Sequence, residues 1–250
     1  MAGMNPSSRD EDLERRAARY RTVAGLLREM YGVPDWRPHL SPMDELVSTI
    51  LSQNTSDTNR DRAFERLKAR FATWEAVRDA PTQAVVEAIR PAGLANQKAP
   101  RLQAILRRIT EERGGLEIDF LADLPLEEAK AWLTGLNGIG PKTAAIILLF
   151  AFGRPAFPVD THVHRVSQRI GLIGPRVSAE KAHDLLEQIV PPEDYLVFHL
   201  NLIQHGREIC QARQPRCEVC PLQAHCDYYR ARTRPPSTVE QSTGGHHHDR

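Results

Sequence analysis

Outside residues 210–226 the 250-residue chain contains no cysteine. Disulfides that staple a secreted fold are spread along the sequence, so that class is excluded. No apolar run approaches the roughly 20 residues needed to cross a bilayer. The longest, Ala144–Phe152, has nine residues. The N-terminal stretch MAGMNPSSRDEDLERRAARYR lacks the apolar core of a signal peptide. Neither sign of charge dominates, since 33 Lys and Arg stand against 32 Asp and Glu for a net +1. A nucleic-acid binder with this balance must gather its cations locally. Stretches that alternate apolar and polar residues, the mark of half-buried strands, are missing as well. These absences lead to the expectation of a cytoplasmic, nucleoid-associated monomer with no membrane partner.

What is present is helical periodicity. Apolar residues recur three and four apart in DELVSTILS (44–52), RDRAFERLKARF (60–71), TQAVVEAIR (82–90) and KAPRLQAILRRITEER (98–113). The pattern continues through LEEAKAWLTGL (126–136), PKTAAIILLFAFG (141–153), THVHRVSQRIG (161–171), SAEKAHDLLEQIV (178–190) and EDYLVFHLNLIQHG (193–206). Pro, Gly or Asn punctuate the linkers. The expectation is an all-α fold of about ten helices, and 41% hydrophobic residues suffice for one large core or two small ones. Ala144–Phe152 is apolar on every side and so predicts a central buried helix. The Pro- and Gly-containing AFGRPAFPVDTHV that follows marks a boundary between two helical lobes. Residues 1–10 and 235–250 are polar and read as disordered tails, the second carrying a histidine triplet at 246–248.

Three local features carry chemistry. The first is GLNGIGPKTAA (135–145), a glycine cluster between two helices, hence a helix–hairpin–helix. Gly138 and Gly140 let backbone N–H groups approach a ligand, and Pro141 suits a first helical position. The free N–H groups of that helix start are suited to a phosphate oxygen. Lys142 sits there although helix starts disfavour cations. It either adds charge to the phosphate contact or serves as an amine nucleophile able to form a Schiff base. The second feature is Asp160 in FPVDTHVHRV. It is both a helix N-cap and a carboxylate that the chain can return toward Lys142, able to accept a proton or stabilise positive charge on a sugar ring. His162 and His164 behind it read as packing or surface residues. The third is C-x6-C-x2-C-x5-C, made by Cys210, Cys217, Cys220 and Cys226. Four thiolates in a short loop suit one tetrahedral metal or one iron–sulfur cluster. Arg207, Arg213 and Arg216 lie in or beside that loop, a basic setting that can lie against phosphates.

Together these residues resemble the endonuclease III family of DNA glycosylases over roughly residues 20–228. LNGIGPKTA resembles its helix–hairpin–helix, VDTHVHRV its catalytic aspartate segment, and the four cysteines its [4Fe-4S] loop. The resemblance implies two lobes, 44–154 and 11–43 plus 155–230, with a DNA cleft between them. It implies base excision repair: a damaged base is flipped out of duplex DNA, and an oxidised pyrimidine is released. Lys142 would attack C1′ and, through a Schiff base, cleave the abasic site by β-elimination, with Asp160 assisting. The partner is double-stranded DNA carrying damaged bases or abasic sites. GLANQK (93–98) resembles a loop that wedges a leucine, here Leu94, into the duplex. LSQNTSD (51–57) resembles the loop that fills the gap left by the flipped base, a role open to Gln53 or Asn54. The family commonly has proline where Asn137 stands and a basic residue where Pro141 stands. Local charge agrees with DNA binding, since Arg90, Lys98, Arg101, Arg107, Arg108 and Arg113 oppose only Glu111 and Glu112 within 90–113. A monofunctional adenine or mismatch glycosylase usually lacks the lysine. A purely DNA-gripping iron–sulfur protein has no need of the Lys142/Asp160 pair.

Overall fold

The computed structural model describes residues 6–34 and 40–233, so the histidine triplet lies outside the described residues. Twelve α-helices follow one another there, with no strand among the described residues. They are α1 (Pro6–Tyr31), α2 (Pro42–Ser52), α3 (Asp57–Arg70), α4 (Trp74–Asp79), α5 (Thr82–Ile89) and α6 (Ala95–Arg113). The rest are α7 (Leu126–Thr134), α8 (Pro141–Phe152), α9 (Thr161–Arg169), α10 (Ala179–Ile189), α11 (Tyr195–Glu208) and α12 (Asp227–Thr233).

Local chemistry sets where these helices start. Ser41, Ser56, Thr73, Asp160 and Ser178 each accept a hydrogen bond from a first-turn N–H of the following helix. Such a cap typically contributes about 1 kcal/mol. Helix α1 begins at Pro6, inside the segment expected to be a tail; proline is at home in a helix's first turn. Helices α4 and α12 go beyond what the periodicity predicts. At six and seven residues they are too short to display a period.

The apolar faces collect into two cores. One joins α2 through α7 with Ala144, Ala145, Ile147 and Leu148 of α8. The other joins α1, α9, α10 and α11 with Cys210, Leu222 and Cys226, and it takes Leu149 of α8. Helix α8 is thus the shared wall, which is why its sequence is apolar all round. Two contacts cross from one core to the other. Lys130 on α7 donates to both oxygens of Glu187 on α10 at 3.1 and 2.9 Å. Arg207 on α11 pairs with Asp57, the first residue of α3, at 3.0 Å. The second pair is exposed and adds little stability. It bridges the loop after α2 to the second lobe.

Candidate active site

Helix α7 ends at the hairpin, and α8 starts from it. Leu136 and Ile139 are buried and anchor the turn to the first core. Gly138 holds φ +92°, and a Cβ there would stand 2.4 Å from Cδ of Arg101, so this position requires glycine. Gly140 is different: its φ of −94° suits any residue, and a Cβ would meet nothing within 4 Å. The space in front of the α8 start is therefore open. Two arginines of α6 brace the hairpin from behind. Arg108 donates to the Gly135 carbonyl at 2.6 Å, and the Arg101 side chain lies under Gly138. Lys142 is the second residue of α8 and is exposed, while the next residue, Thr143, is buried.

Asp160 caps α9, accepting from the Val163 N–H at 2.7 Å. The segment that delivers it is extended and cannot bond to itself, so side chains take its polar groups. Glu187 accepts from the Phe157 N–H at 2.9 Å. His183 Nδ1 donates to the Phe157 carbonyl at 2.8 Å, and His199 Nδ1 to the Pro158 carbonyl at 2.9 Å. Both imidazoles are buried, and burial pushes them below the ordinary histidine range, His199 to about 4. They are neutral at pH 7, as donation from one ring nitrogen requires. The charges of Asp160 and Lys142 both act on His199, in opposite senses. Both charges therefore lie close enough to act on the same buried imidazole. His162 and His164 are packing residues as expected: His162 approaches Arg165 at 3.2 Å, and His164 donates to the Val177 carbonyl at 2.8 Å.

The two loop assignments resolve differently. Gln53 turns inward. Its Nε2 donates to the Gly138 carbonyl at 3.0 Å, and its Oε1 accepts from Arg101 at 3.4 Å. Asn54 is exposed with φ +55°, a conformation asparagine tolerates better than most residues. Leu94 is 49% exposed and holds φ +49° immediately before α6. A bulky residue in the left-handed region is strained, and such strain gathers at functional positions.

The basic run of α6 keeps exposed arginines, but one of its cations is buried and others have partners within the protein. Lys98 is buried and donates to the carbonyls of Leu51 and Ala92. Arg107 donates to the Arg78 carbonyl, and Arg113 lies over the Phe120 ring. Amphipathic side chains near a helix's buried face find internal partners, and charge counting along a sequence does not register this.

Cys210, Cys217, Cys220 and Cys226 line one pocket together with His205 and Leu222. None is disulfide-bonded. Arg169 points a guanidinium N–H at Cys210 Sγ at 3.4 Å, and the Tyr229 N–H points at Cys226 Sγ at 3.4 Å. Burial raises the thiols of Cys220, to about 11, and of Cys226. Among the described residues no three His, Cys, Asp or Glu side chains converge on a position for a single metal ion.

Two helical cores that share α8, with a glycine hairpin at the start of that helix, define a class: helix–hairpin–helix proteins that grip DNA. A family model described as "HhH-GPD superfamily base excision DNA repair protein" matches residues 47–192. Endonuclease III of Thermotoga maritima is 35% identical over 191 residues, which cover 76% of this chain and 85% of that protein. A non-covalent endonuclease III–DNA complex superposes with TM-score 0.75 at 29% identity, over 88% of this chain and 99% of that one. A trapped endonuclease III–DNA covalent intermediate gives TM-score 0.74 at 28% identity, over 87% and 99%. The chain belongs to the HhH-GPD superfamily and, within it, to the endonuclease III family. It is a base excision repair DNA glycosylase, and its macromolecular partner is DNA.

Proposed function

We propose that this glycosylase is bifunctional: it releases oxidised pyrimidines from duplex DNA and then nicks the abasic strand through a lysine Schiff base. The observation that carries this reading is the exposed Lys142 at the open start of α8, with Asp160 acting on the same buried His199. The helix start would hold the phosphate flanking the damaged nucleotide. Once deprotonated, Nζ of Lys142 forms a bond to C1′ while the C1′–N bond to the base breaks, and the base leaves with that electron pair and takes up a proton. Asp160 stabilises the positive charge on the sugar and accepts a proton from the amine. Ring opening gives the iminium; loss of a C2′ proton then expels the 3′ phosphate, and water releases the lysine. The relative solved as a trapped covalent intermediate with DNA supports this assignment.

Leu94 serves as the wedge between base steps. Asn54, exposed where Gln53 is engaged with the hairpin, fills the vacated base position. The cysteine pocket supports a [4Fe-4S] cluster. The four thiols line one pocket, donors aim at two of the sulfurs, and the raised thiols need a positive centre to become thiolates. Such a cluster would tie the loop that carries Arg213 and Arg216, and no step of the reaction runs through it.

The test is incubation of purified protein with duplexes carrying a single oxidised pyrimidine, followed by borohydride. A covalent complex and a nicked strand are expected. Base release without trapping would make the protein monofunctional. Trapping only on purine lesions would move its substrate class. The hairpin grip has its own check. Gly140→Ala should leave stability within about 0.5 kcal/mol, because nothing meets the added Cβ. It should weaken affinity for undamaged duplex about five-fold by standing between the helix start and the phosphate.

A further inference from the structure

Lys98 is the fourth residue of α6 and is 2% exposed. Its Nζ donates at 2.8 Å to the Leu51 carbonyl and at 2.8 Å to the Ala92 carbonyl. Leu51 lies in the last turn of α2, and Ala92 ends the single 3₁₀ turn Arg90–Ala92. Carbonyls at helix ends lack partners within the helix and sit at its negative pole. One ammonium therefore caps two helix ends that are 41 residues apart in sequence. Three residues beyond Leu51 and two beyond Ala92 the backbone holds a non-glycine residue in the left-handed region. Asn54 at φ +55° follows Leu51, and Leu94 at φ +49° follows Ala92. These are the two non-glycine residues with positive φ among the described residues, and both side chains are exposed. Strained residues persist only where their surroundings over-determine them, and Lys98 is the group that both surroundings share.

We propose that Lys98 is a positioning residue that locks the Asn54 and Leu94 loops into one rigid unit, so that wedge and gap-filler enter the base stack together. The inference rests on the DNA reading given above. The ammonium is buried against two backbone carbonyls, in contrast to the exposed phosphate contact that its place in a basic helix suggests. Neutral side chains of similar length leave both carbonyls without a donor and each loop free to settle separately. Lysine also suits the position sterically: its long unbranched stem lies within the first core while its head reaches two backbones.

The experiment uses duplex DNA with 2-aminopurine opposite an abasic-site analogue, whose fluorescence rises on unstacking. Wild type, Lys98→Met, Leu94→Ala, the double variant and Lys98→Arg are compared at saturating protein. Wild type should give a clear rise. Lys98→Met and Leu94→Ala should each reduce it more than about five-fold, and the double variant should lose no more than either alone. Binding of Lys98→Met and Lys98→Arg to undamaged duplex, carried by the hairpin, should stay within about two-fold of wild type. Lys98→Arg, which keeps a cation with N–H donors, should recover part of the signal. A full rise with Lys98→Met, or losses that simply add in the double variant, would overturn the proposal while leaving the DNA reading intact. No rise with wild type itself would remove both. Should Lys98→Met fail to fold, hydrogen exchange on wild type decides. Segments 52–57 and 93–97 must gain protection at the same DNA concentration, and protection of one alone overturns the coupling.

Discussion

Lys142→Ala is expected to give no covalent complex with abasic duplex under borohydride and to nick that duplex at least about 10³-fold more slowly than wild type. Folding should not suffer. The side chain is exposed at the second position of α8, so its truncation opens no cavity. Alanine is the stronger helix former, and removing a cation from a helix start relieves a macrodipole clash. The variant should therefore match wild type or gain about 0.3–1 kcal/mol. A lysine that lowers stability where it stands and is retained by a DNA-processing site fits the usual opposition between stability and activity. The rival role, a simple phosphate contact, makes a different prediction. Loss of one contact weakens binding and flattens its salt dependence by about one ion, yet nicking would recover once protein saturates the DNA. Single-turnover rates at saturation separate the two. Wild-type nicking by Lys142→Ala under those conditions would take the lysine out of the chemistry. Lys142→Gln should behave as the alanine variant does, since chain length without an amine restores no nucleophile.

Features that depend on neighbours along the chain are legible in the sequence itself. The glycine hairpin, the apolar α8 and the Asp160 cap all act through residues a few positions apart, and all are in the places their patterns imply. Features fixed by distant chain are not legible in this way. Whether Gln53 or Asn54 faces outward depends on Arg101 and on the Gly138 carbonyl, which lie 48 and 85 residues away. Lys98 reads as one more surface cation until α2 and the 90–92 turn bring their carbonyls to it. The pinning of residues 157–160 by His183, Glu187 and His199 has no sequence signature, because two helices, α10 and α11, must pack for those side chains to converge. Leu94 falls between these cases. Its loop position is evident from the sequence, but the left-handed backbone and exposure that set it apart from a core leucine appear only in three dimensions.

Asp160→Asn offers the sharpest separation of structure from chemistry at this site. Asparagine caps helices as well as aspartate does, so the bond from the Val163 N–H to Oδ1 should survive. Only the negative charge near the α9 start is lost, at a cost of about 0.3–1 kcal/mol. Base release should nonetheless fall about 10²–10⁴-fold, the usual contribution of a positioned acid–base group. The affinity for undamaged duplex should hold or increase, since removing an anion lessens repulsion of the DNA phosphates. Asp160→Ala completes the comparison. It removes charge and cap together and should lose about 1 kcal/mol of stability in denaturant titration, with base release no slower than in Asp160→Asn. Equal rates in the two variants with unequal stability would place the effect on the carboxylate charge. If Asp160→Asn releases bases at the wild-type rate, the residue is a cap alone, and Lys142 must find its proton acceptor elsewhere. His199 does not replace it easily, because burial holds that imidazole neutral with one nitrogen already committed to the Pro158 carbonyl.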